Sequence, residues 1–511
     1  MKHEKILILN FGGQYDQLIA RRVRDHGVYC EVVPYTVPLG ELCKMQPDGI
    51  IFTGGPNSVF DPSSPHYTAD ILAIGVPVLG ICYGAQLMAW MGNGVVKTAE
   101  RSEYGNTRLL LAGRDSLLFK DVPEESTVWM SHTDRIERMP EGFYATAKTD
   151  DCPVAAMENA EKRLYAVQFH PEVTHSAFGD KILYNFLFEV CGCKGDWQMD
   201  SFIDDTVTAL REKIGDRKVV LGLSGGVDSS VAAALLSRAV GEQLTCVFVD
   251  HGLMRKNEGD IVEKTFASYK LNFIRADCAD WFLAALKGVT DPEEKRKIIG
   301  EEFYKVFWGE IRRQEEKGFF AQGTIYPDRI ESGKGDADKI KTHHNRVKMP
   351  EDIEFLGVLE PLCDLFKDEV RRVGEKLGLP AELVWRQPFP GPGLGVRIIG
   401  EITREKIEVL QNADWVLRDE MAKNGYEKQL SQFFCVLPTV STVGVMGDHR
   451  TYDHLIAIRA VTTDDFMTAD WAKIPYEILA RVSSRITNEV KHVNRVVYDI
   501  TTKPPATVEW E

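Results

Sequence analysis

KVVLGLSGGVDSSVAAALLSRAVG, residues 218–241, reads as one βα unit. The apolar run 218–223 predicts a buried strand, SGG a tight turn, and the Ala/Leu-rich segment after it a helix. Adjacent glycine amides and serine hydroxyls at a helix N-terminus make a cradle for phosphate. The loop is no Walker A motif, because the Gly-Lys-Ser/Thr ending is missing. Asp228 is out of place beside phosphate unless a cation bridges the two. Mg²⁺ held between a pyrophosphate group and this carboxylate removes the repulsion. Ser224, Gly225, Gly226, Val227, Asp228, Ser229 and Ser230 are therefore candidate phosphate ligands, and Asp228 the candidate metal ligand. A glycine-rich turn with Asp228 merely in the first helical turn is the plainer alternative.

Reading outward from this unit, LTCVFVDHG (244–252) and LNFIRADC (271–278) are further strands. The stretch 332–352, SGKGDADKIKTHHNRVKMPED, is polar and lacks an apolar period; a loop of that length in a compact domain suits a lid. The helix at 368–380 stops at Gly378 and Pro380. QPFPGPGLG (387–395) marks a boundary, and the remainder mixes helices with strands such as HLIAIRAV and RVVYDIT. Toward the N-terminus, residues 1–195 alternate strands (KILILNF, YCEVVPY, GIIFTGG, VPVLGIC) with helices such as YDQLIARRVRDHG. The expected class is α/β: two successive α/β domains with largely parallel sheets, 1–195 and 196–386, then a smaller α+β domain, 387–511.

The bulk numbers agree with several soluble domains. A length of 511 residues divides into about three domains at ~150 residues each. A net charge of −15 speaks against a nucleic-acid partner, which selects for basic surface. The apolar start ILILNF is too short for a signal-peptide core and reads as a strand. No run of about 18 apolar residues predicts a membrane span. Ten scattered cysteines form neither a disulfide framework nor a zinc motif, so reduced thiols and a cytoplasmic setting are expected.

A second chemical centre lies in the N-terminal third. VPVLGICYGAQLMAW (76–90) places Cys82 between strand and helix in the frame Gly80-x-Cys82-x-Gly84, a nucleophile elbow with sulfur for oxygen. The helix N-terminus that follows favours a thiolate. The elbow alone does not exclude a buried cysteine before a core helix. LYAVQFHPEVTHS (164–176) adds His170 as a base and Glu172 as the carboxylate that orients it. IIFTGGPNSV (50–59) supplies glycines after a strand, so the amides of Gly55 and Tyr83 are the expected oxyanion hole.

GGPNS, GICYGAQ and FHPE, in this order, resemble the class I glutamine amidotransferases over about residues 5–190. The resemblance implies that Cys82 attacks the glutamine carboxamide, that His170 shuttles the proton and Glu172 holds it, and that Gln86, Ser131 and His132 contact glutamine. SGGVDSS resembles the PP-loop of the N-type ATP pyrophosphatases, with Val249 on the strand near adenosine. That loop gives the reaction class, adenylation with release of pyrophosphate, but not the substrate. A triad amidotransferase followed by a PP-loop domain resembles the GMP synthetase family, and so do RQPFPGPGLGVRIIGEIT, VGVMGD, DFMTADWAKIPYEIL and VVYDITTKPPATVEWE.

This last resemblance implies glutamine, ATP and XMP as substrates, Mg²⁺ with ATP and no organic cofactor, and a homodimer through the C-terminal domain. It assigns Asp328, Glu331, Lys341, Thr342, His343 and His344 to adenylation and its lid, and Lys503, Thr507 and Glu509 to XMP. After HHN the chain continues Arg346-Val347-Lys348-Met349 where the family has Val-Gly-Gly-Leu. A PP-loop amidase or thiolase acting on another nucleotide or on tRNA is the competing enzyme; the acidic charge opposes it. An interaction protein on a decayed amidotransferase is opposed by the intact Cys82, His170 and Glu172.

Overall fold

The protein is described here by a computed structural model that covers residues 3–113, 115–314, 318–332, 353–446, 448–463 and 468–511. It divides into two compact units, Met1–Asp205 and Thr206–Glu511. Both have the mixed α/β architecture that the alternation of strand and helix predicts.

The first unit is built on nine strands: β1 (Lys5–Asn10), β2 (Tyr29–Pro34), β3 (Gly49–Phe52), β4 (Val78–Ile81), β5 (Val95–Leu111), β6 (Glu125–Arg138), β7 (Tyr144–Lys148), β8 (Ala156–Asn159) and β9 (Leu164–Val167). Their order is β2-β1-β3-β4-β9-β8-β7-β5-β6. The first five are parallel. Parallel neighbours need crossovers, and helices such as Asp16–Asp25 and Tyr83–Met91 supply them. The other pairings are antiparallel, dominated by the long β5–β6 ladder. Strands β3, β4 and β9 are buried at every position, as continuous apolar runs under helices require. Their C-terminal ends open side by side, where doubly wound sheets bind ligands.

The second unit carries two sheets. The first joins β10 (Val219–Leu223), β11 (Leu244–Asp250), β12 (Asn272–Asp277), β13 (Phe319–Ala321) and β14 (Val358–Leu359) in the order β12-β11-β10-β13-β14. Every pair in it is parallel. The second consists of β15 (Gln432–Val436), β16 (Ser441–Met446), β17 (His449–Thr462), β18 (Asp470–Trp471) and β19 (Val493–Asp499), with β17 pairing all four others. One apolar cluster runs from Val220, Val247 and Phe320 to Phe433, Ile456 and Val482, so both sheets share a core. No described helix is long and apolar enough to cross a membrane.

Candidate active site

Cys82 sits between β4 and the helix Tyr83–Met91 with φ 53° and ψ −106°. A left-handed φ is costly for a residue with a side chain. Glycines on both sides make the turn fit: a Cβ at Gly80 would meet Gly84 O at 2.6 Å, and one at Gly84 would meet Phe52 Cβ at 2.6 Å. The strained turn lifts the thiol off the strand end, the geometry that a nucleophile elbow requires.

His170 follows the end of β9. Its Nδ1 lies 2.7 Å from Glu172 Oε1, and both side chains are buried. The backbone is pinned: His170 N donates to Trp129 O, and Ser176 Oγ donates to His170 O. Tyr15 packs edge-on against the ring at 5.1 Å. Burial opposes charge on His170, but the Glu172 carboxylate and the Cys82 sulfur outweigh it and push the pKa up to about 11. The arrangement thus favours an imidazolium beside sulfur, the state in which a thiolate attacks.

Gly54 lies between the two groups. A Cβ placed there would come within 3.3 Å of His170 Cε1 and 3.8 Å of Cys82 Cβ, so glycine keeps open the space they face. No acceptor among the described residues takes the amide hydrogens of Gly55 or Tyr83; Tyr83 is the first residue of its helix, where such amides are unpaired. The sequence-predicted donors are therefore available to an oxyanion.

The predicted glutamine contacts lie around this hollow in different ways. Ser131 O accepts the Cys82 thiol at 3.7 Å. His132 is buried, with Nδ1 near Asp134 O and Nε2 3.1 Å from Glu103 Oε2. Gln86 is buried too, and its amide donates to Asp134 O and Gln168 Oε1. Gln168 Nε2 in turn points at Cys82 Sγ, 3.8 Å away. Sequence reasoning missed Gln168 and Glu103. The signal for Glu103 lies in the β5–β6 ladder, which sets it opposite His132.

In the second unit the helix Val227–Val240 starts within the SGGVDSS segment, directly after Gly226. Gly225 takes φ 72°, which glycine adopts without strain. Ser224 Oγ accepts from Gly226 N and shares a contact of 3.0 Å with Ser229 Oγ. Ser230 is buried beneath the loop, and Val249 is buried in β11. Both oxygens of Asp228 are held by Lys367 Nζ, at 2.8 and 2.7 Å. Arg386 donates to Gly225 O and to Glu258. Neither Lys367 nor Arg386 was picked out from the sequence; both stand more than a hundred residues from the loop they hold.

Arg386 also lines a cavity of about 620 Å³, with Arg255, Lys256, Glu258, Asp414 and Arg418. Arg255 packs over Phe389 at 4.4 Å, and its buried Nε and Nη2 have no partner among the described residues. Burial, with Arg418 and Arg386 near, pushes its pKa well below the ordinary value. Such a group calls for an anion.

Asp328 Oδ2 accepts from Ile325 N at the start of the helix Tyr326–Ser332. Glu331 lies on that helix, its side chain outside the described part. Lys341, Thr342, His343 and His344 lie outside the described residues altogether. In the C-terminal tail, Lys503 pairs through its backbone with Ala469, and Thr507 O accepts from Arg459. Glu509 forms a two-point ion pair with the wholly buried Arg397, 3.0 and 2.7 Å. Arg397 lies over Phe389, the ring that Arg255 covers, so tail and cavity adjoin.

Three family models match successive parts of the chain: glutamine amidotransferase class-I over residues 7–190, NAD synthase over 199–297, and GMP synthase C terminal domain over 419–510. A glutamine-hydrolyzing GMP synthase of Finegoldia magna is 58% identical over 511 residues, all of both chains. Those of Acetivibrio thermocellus and Ruminiclostridium cellulolyticum are 58% and 57% identical, again over the full length of both chains. The chain belongs to the glutamine-hydrolysing GMP synthase family. Of the two centres above, the one at Cys82 falls in the part matched to glutamine amidotransferases, and the loop at Asp228 in the part matched to NAD synthase. The tail that carries Glu509 falls in the part matched to the GMP synthase C terminal domain.

Proposed function

We propose that this chain aminates XMP to GMP, with ammonia from glutamine and with ATP cleaved to AMP and pyrophosphate. The observation that carries the reading is one chain holding a Cys82–His170–Glu172 centre and a separate phosphate loop, within full-length similarity to GMP synthases.

At the first centre Cys82 sulfur attacks the carboxamide carbon of glutamine. The oxyanion meets the amides of Gly55 and Tyr83, and His170 gives its proton to the leaving ammonia. Water then attacks the thioester, with His170 taking its proton and Glu172 holding the imidazolium. Ser131 and His132 form the wall on which glutamine lies, and Gln86 supports it through Asp134 and Gln168.

At the second centre O2 of XMP attacks the α-phosphorus of ATP, pyrophosphate leaves, and ammonia displaces AMP from C2 of the adenylated nucleotide. The loop amides from Gly225 to Ser230 cradle the phosphates, and Val249 lies on the strand beside adenosine. Asp228 fits a Mg²⁺ ligand, since its two oxygens already hold one cation, Lys367. When bound, Mg²⁺ neutralises phosphate charge. Lys367 follows the same charge and is placed to contact pyrophosphate. Asp328, Glu331 and the Lys341–His344 segment are read as parts of adenylation and its closure.

The cationic cavity with Arg255 suits the phosphate of XMP, and Lys503, Thr507 and Glu509 its phosphate and ribose. Exposed Val443, Val445 and Tyr452 on the C-terminal sheet support a homodimer through that sheet. Ten free cysteines go with a cytoplasmic setting. The deciding assay measures GMP, AMP and pyrophosphate from XMP and ATP, with glutamine or ammonium as donor. Turnover of another nucleotide or of tRNA, with none of XMP, would sink the reading.

A further inference from the structure

Lys295, on the helix Pro292–Arg312, is wholly buried, which an ammonium tolerates only when its hydrogens are taken. Its Nζ donates to Ile398 O at 2.7 Å and to Glu511 Oε2 at 2.6 Å. These two acceptors are not arbitrary places. Ile398 follows Arg397, and Glu511 lies two residues past Glu509. The pair they flank is the buried ion pair Arg397–Glu509, so one ammonium pins both strands of that pair. The neighbour Arg296 adds a hydrogen bond to Glu511 O, and Gly400 N lies 3.4 Å from Glu511 Oε1. Farther up the tail, Arg459 holds the carbonyls of Thr501 and Thr507. The tail between Thr501 and Glu511 is thus fixed at both ends, with Lys503, Thr507 and Glu509 in the held span.

We infer that Lys295 and Glu511 are positioning residues for nucleotide binding: they set the register of the tail so that Glu509 and Lys503 meet XMP without a search. The inference rests on the reading of the tail as an XMP contact. Neither residue reaches the loop at Asp228 by any described contact. Loosening the latch therefore weakens capture of XMP and leaves the chemical step alone once XMP is saturating.

The test uses the full chain with ammonium as donor and compares KM for XMP with kcat. Glu511→Gln is the mild variant. It is expected to raise KM for XMP about tenfold with kcat within about twofold. Basal glutaminase activity, measured without XMP, stays at the parent value and reports that the first unit is folded, while a kcat near the parent's reports the second. Lys295→Met is expected to act in the same direction, and the double variant is expected to be no worse than the worse single one, because the two residues act as one unit. An additive double variant overturns the pairing. A fall in kcat with KM unmoved overturns the positioning role. Lys503→Ala separates the layers. If it raises KM while Glu511→Gln leaves KM within twofold, the latch is wrong and the tail reading stands. If Lys503→Ala also leaves KM unmoved, the tail reading itself fails.

Discussion

The Cys82 pocket in the first unit and the SGGVDSS loop in the second share a plan. Each follows a buried parallel strand and puts its reactive residue at or beside a helix start. They differ in how charge is balanced. Around Cys82 the groups answer one another within a few ångströms: Glu172 holds His170, and sulfur and carboxylate together keep the imidazole protonated. Around the loop the balance comes from far along the chain, with Lys367 on Asp228 and Arg386 on Gly225 and Glu258. Hydrolysis of a neutral amide needs no outside charge, so its centre is complete in itself. Handling a triphosphate means admitting several negative charges, and the loop, which has no cation of its own, is held by two that a polyanion can engage.

The sharpest way to break this division is Cys82→Ala. Glutamine-dependent GMP formation is expected to fall by about 10⁴-fold or more, while formation from ammonium stays within about twofold. Equal loss of both activities would unite the two centres.

Asp228→Asn is expected to slow pyrophosphate release about a thousandfold, several kcal/mol of transition-state stabilisation. Alkylation of Cys82 by iodoacetamide should keep the parent rate. Near-normal AMP formation would remove Asp228 from the phosphate chemistry.

Glu172→Gln probes the internal balance. It removes the strongest of the influences that hold the His170 pKa up near 11, leaving burial, which opposes charge. Glutaminase activity is expected to drop about a hundredfold or more. Stability follows a definite sign. A histidine raised from 6.5 to about 11 stabilises the fold fully below pH 6.5, and that contribution disappears as pH climbs through 11. Parent and variant should therefore differ most in urea unfolding near pH 6 and converge as the solution becomes strongly alkaline. A gap that widens with alkalinity would mean that His170 is neutral in the fold.

Lys367→Met sharpens the other side and carries the smallest effect. One charge-assisted contact contributes roughly 1.5–3 kcal/mol, so pyrophosphate release should slow about ten- to a hundredfold. An unchanged rate would leave Lys367 as a surface partner of Asp228 alone.

The same contrast explains what the sequence made legible. The triad and the loop could be read because their residues are local: Gly80, Cys82 and Gly84 shape one turn, and Glu172 lies two residues from His170. Most strands of the two parallel arrays could be read because each is a short apolar run between turns; β13 and β14, three and two residues long, were not. Lys367, Arg386, Gln168 and Glu103 escaped notice because each gains its role from a residue far off in the chain. A lysine at a helix start or a glutamine in a strand end looks ordinary until pairing brings its partner near. The antiparallel half of the first sheet was likewise silent, since β5 and β6 are long, half-exposed strands whose apolar residues are mostly scattered among polar and charged ones. The tail KPPATVEWE has no periodic pattern; only the buried Arg397 and Lys295 give its acids meaning.

The left-handed backbone of Cys82 has a consequence for descent as well as for chemistry. A non-glycine residue at φ 53° holds its place against a standing conformational penalty of order 1–3 kcal/mol. If Cys82 is the nucleophile proposed above, the need for a sulfur at that point keeps it there. In a lineage fed by free ammonia, position 82 would drift to glycine, the residue that relieves the strain, sooner than to alanine, which keeps it. Glycine at the elbow of a relative would then be the fossil of an abandoned glutaminase.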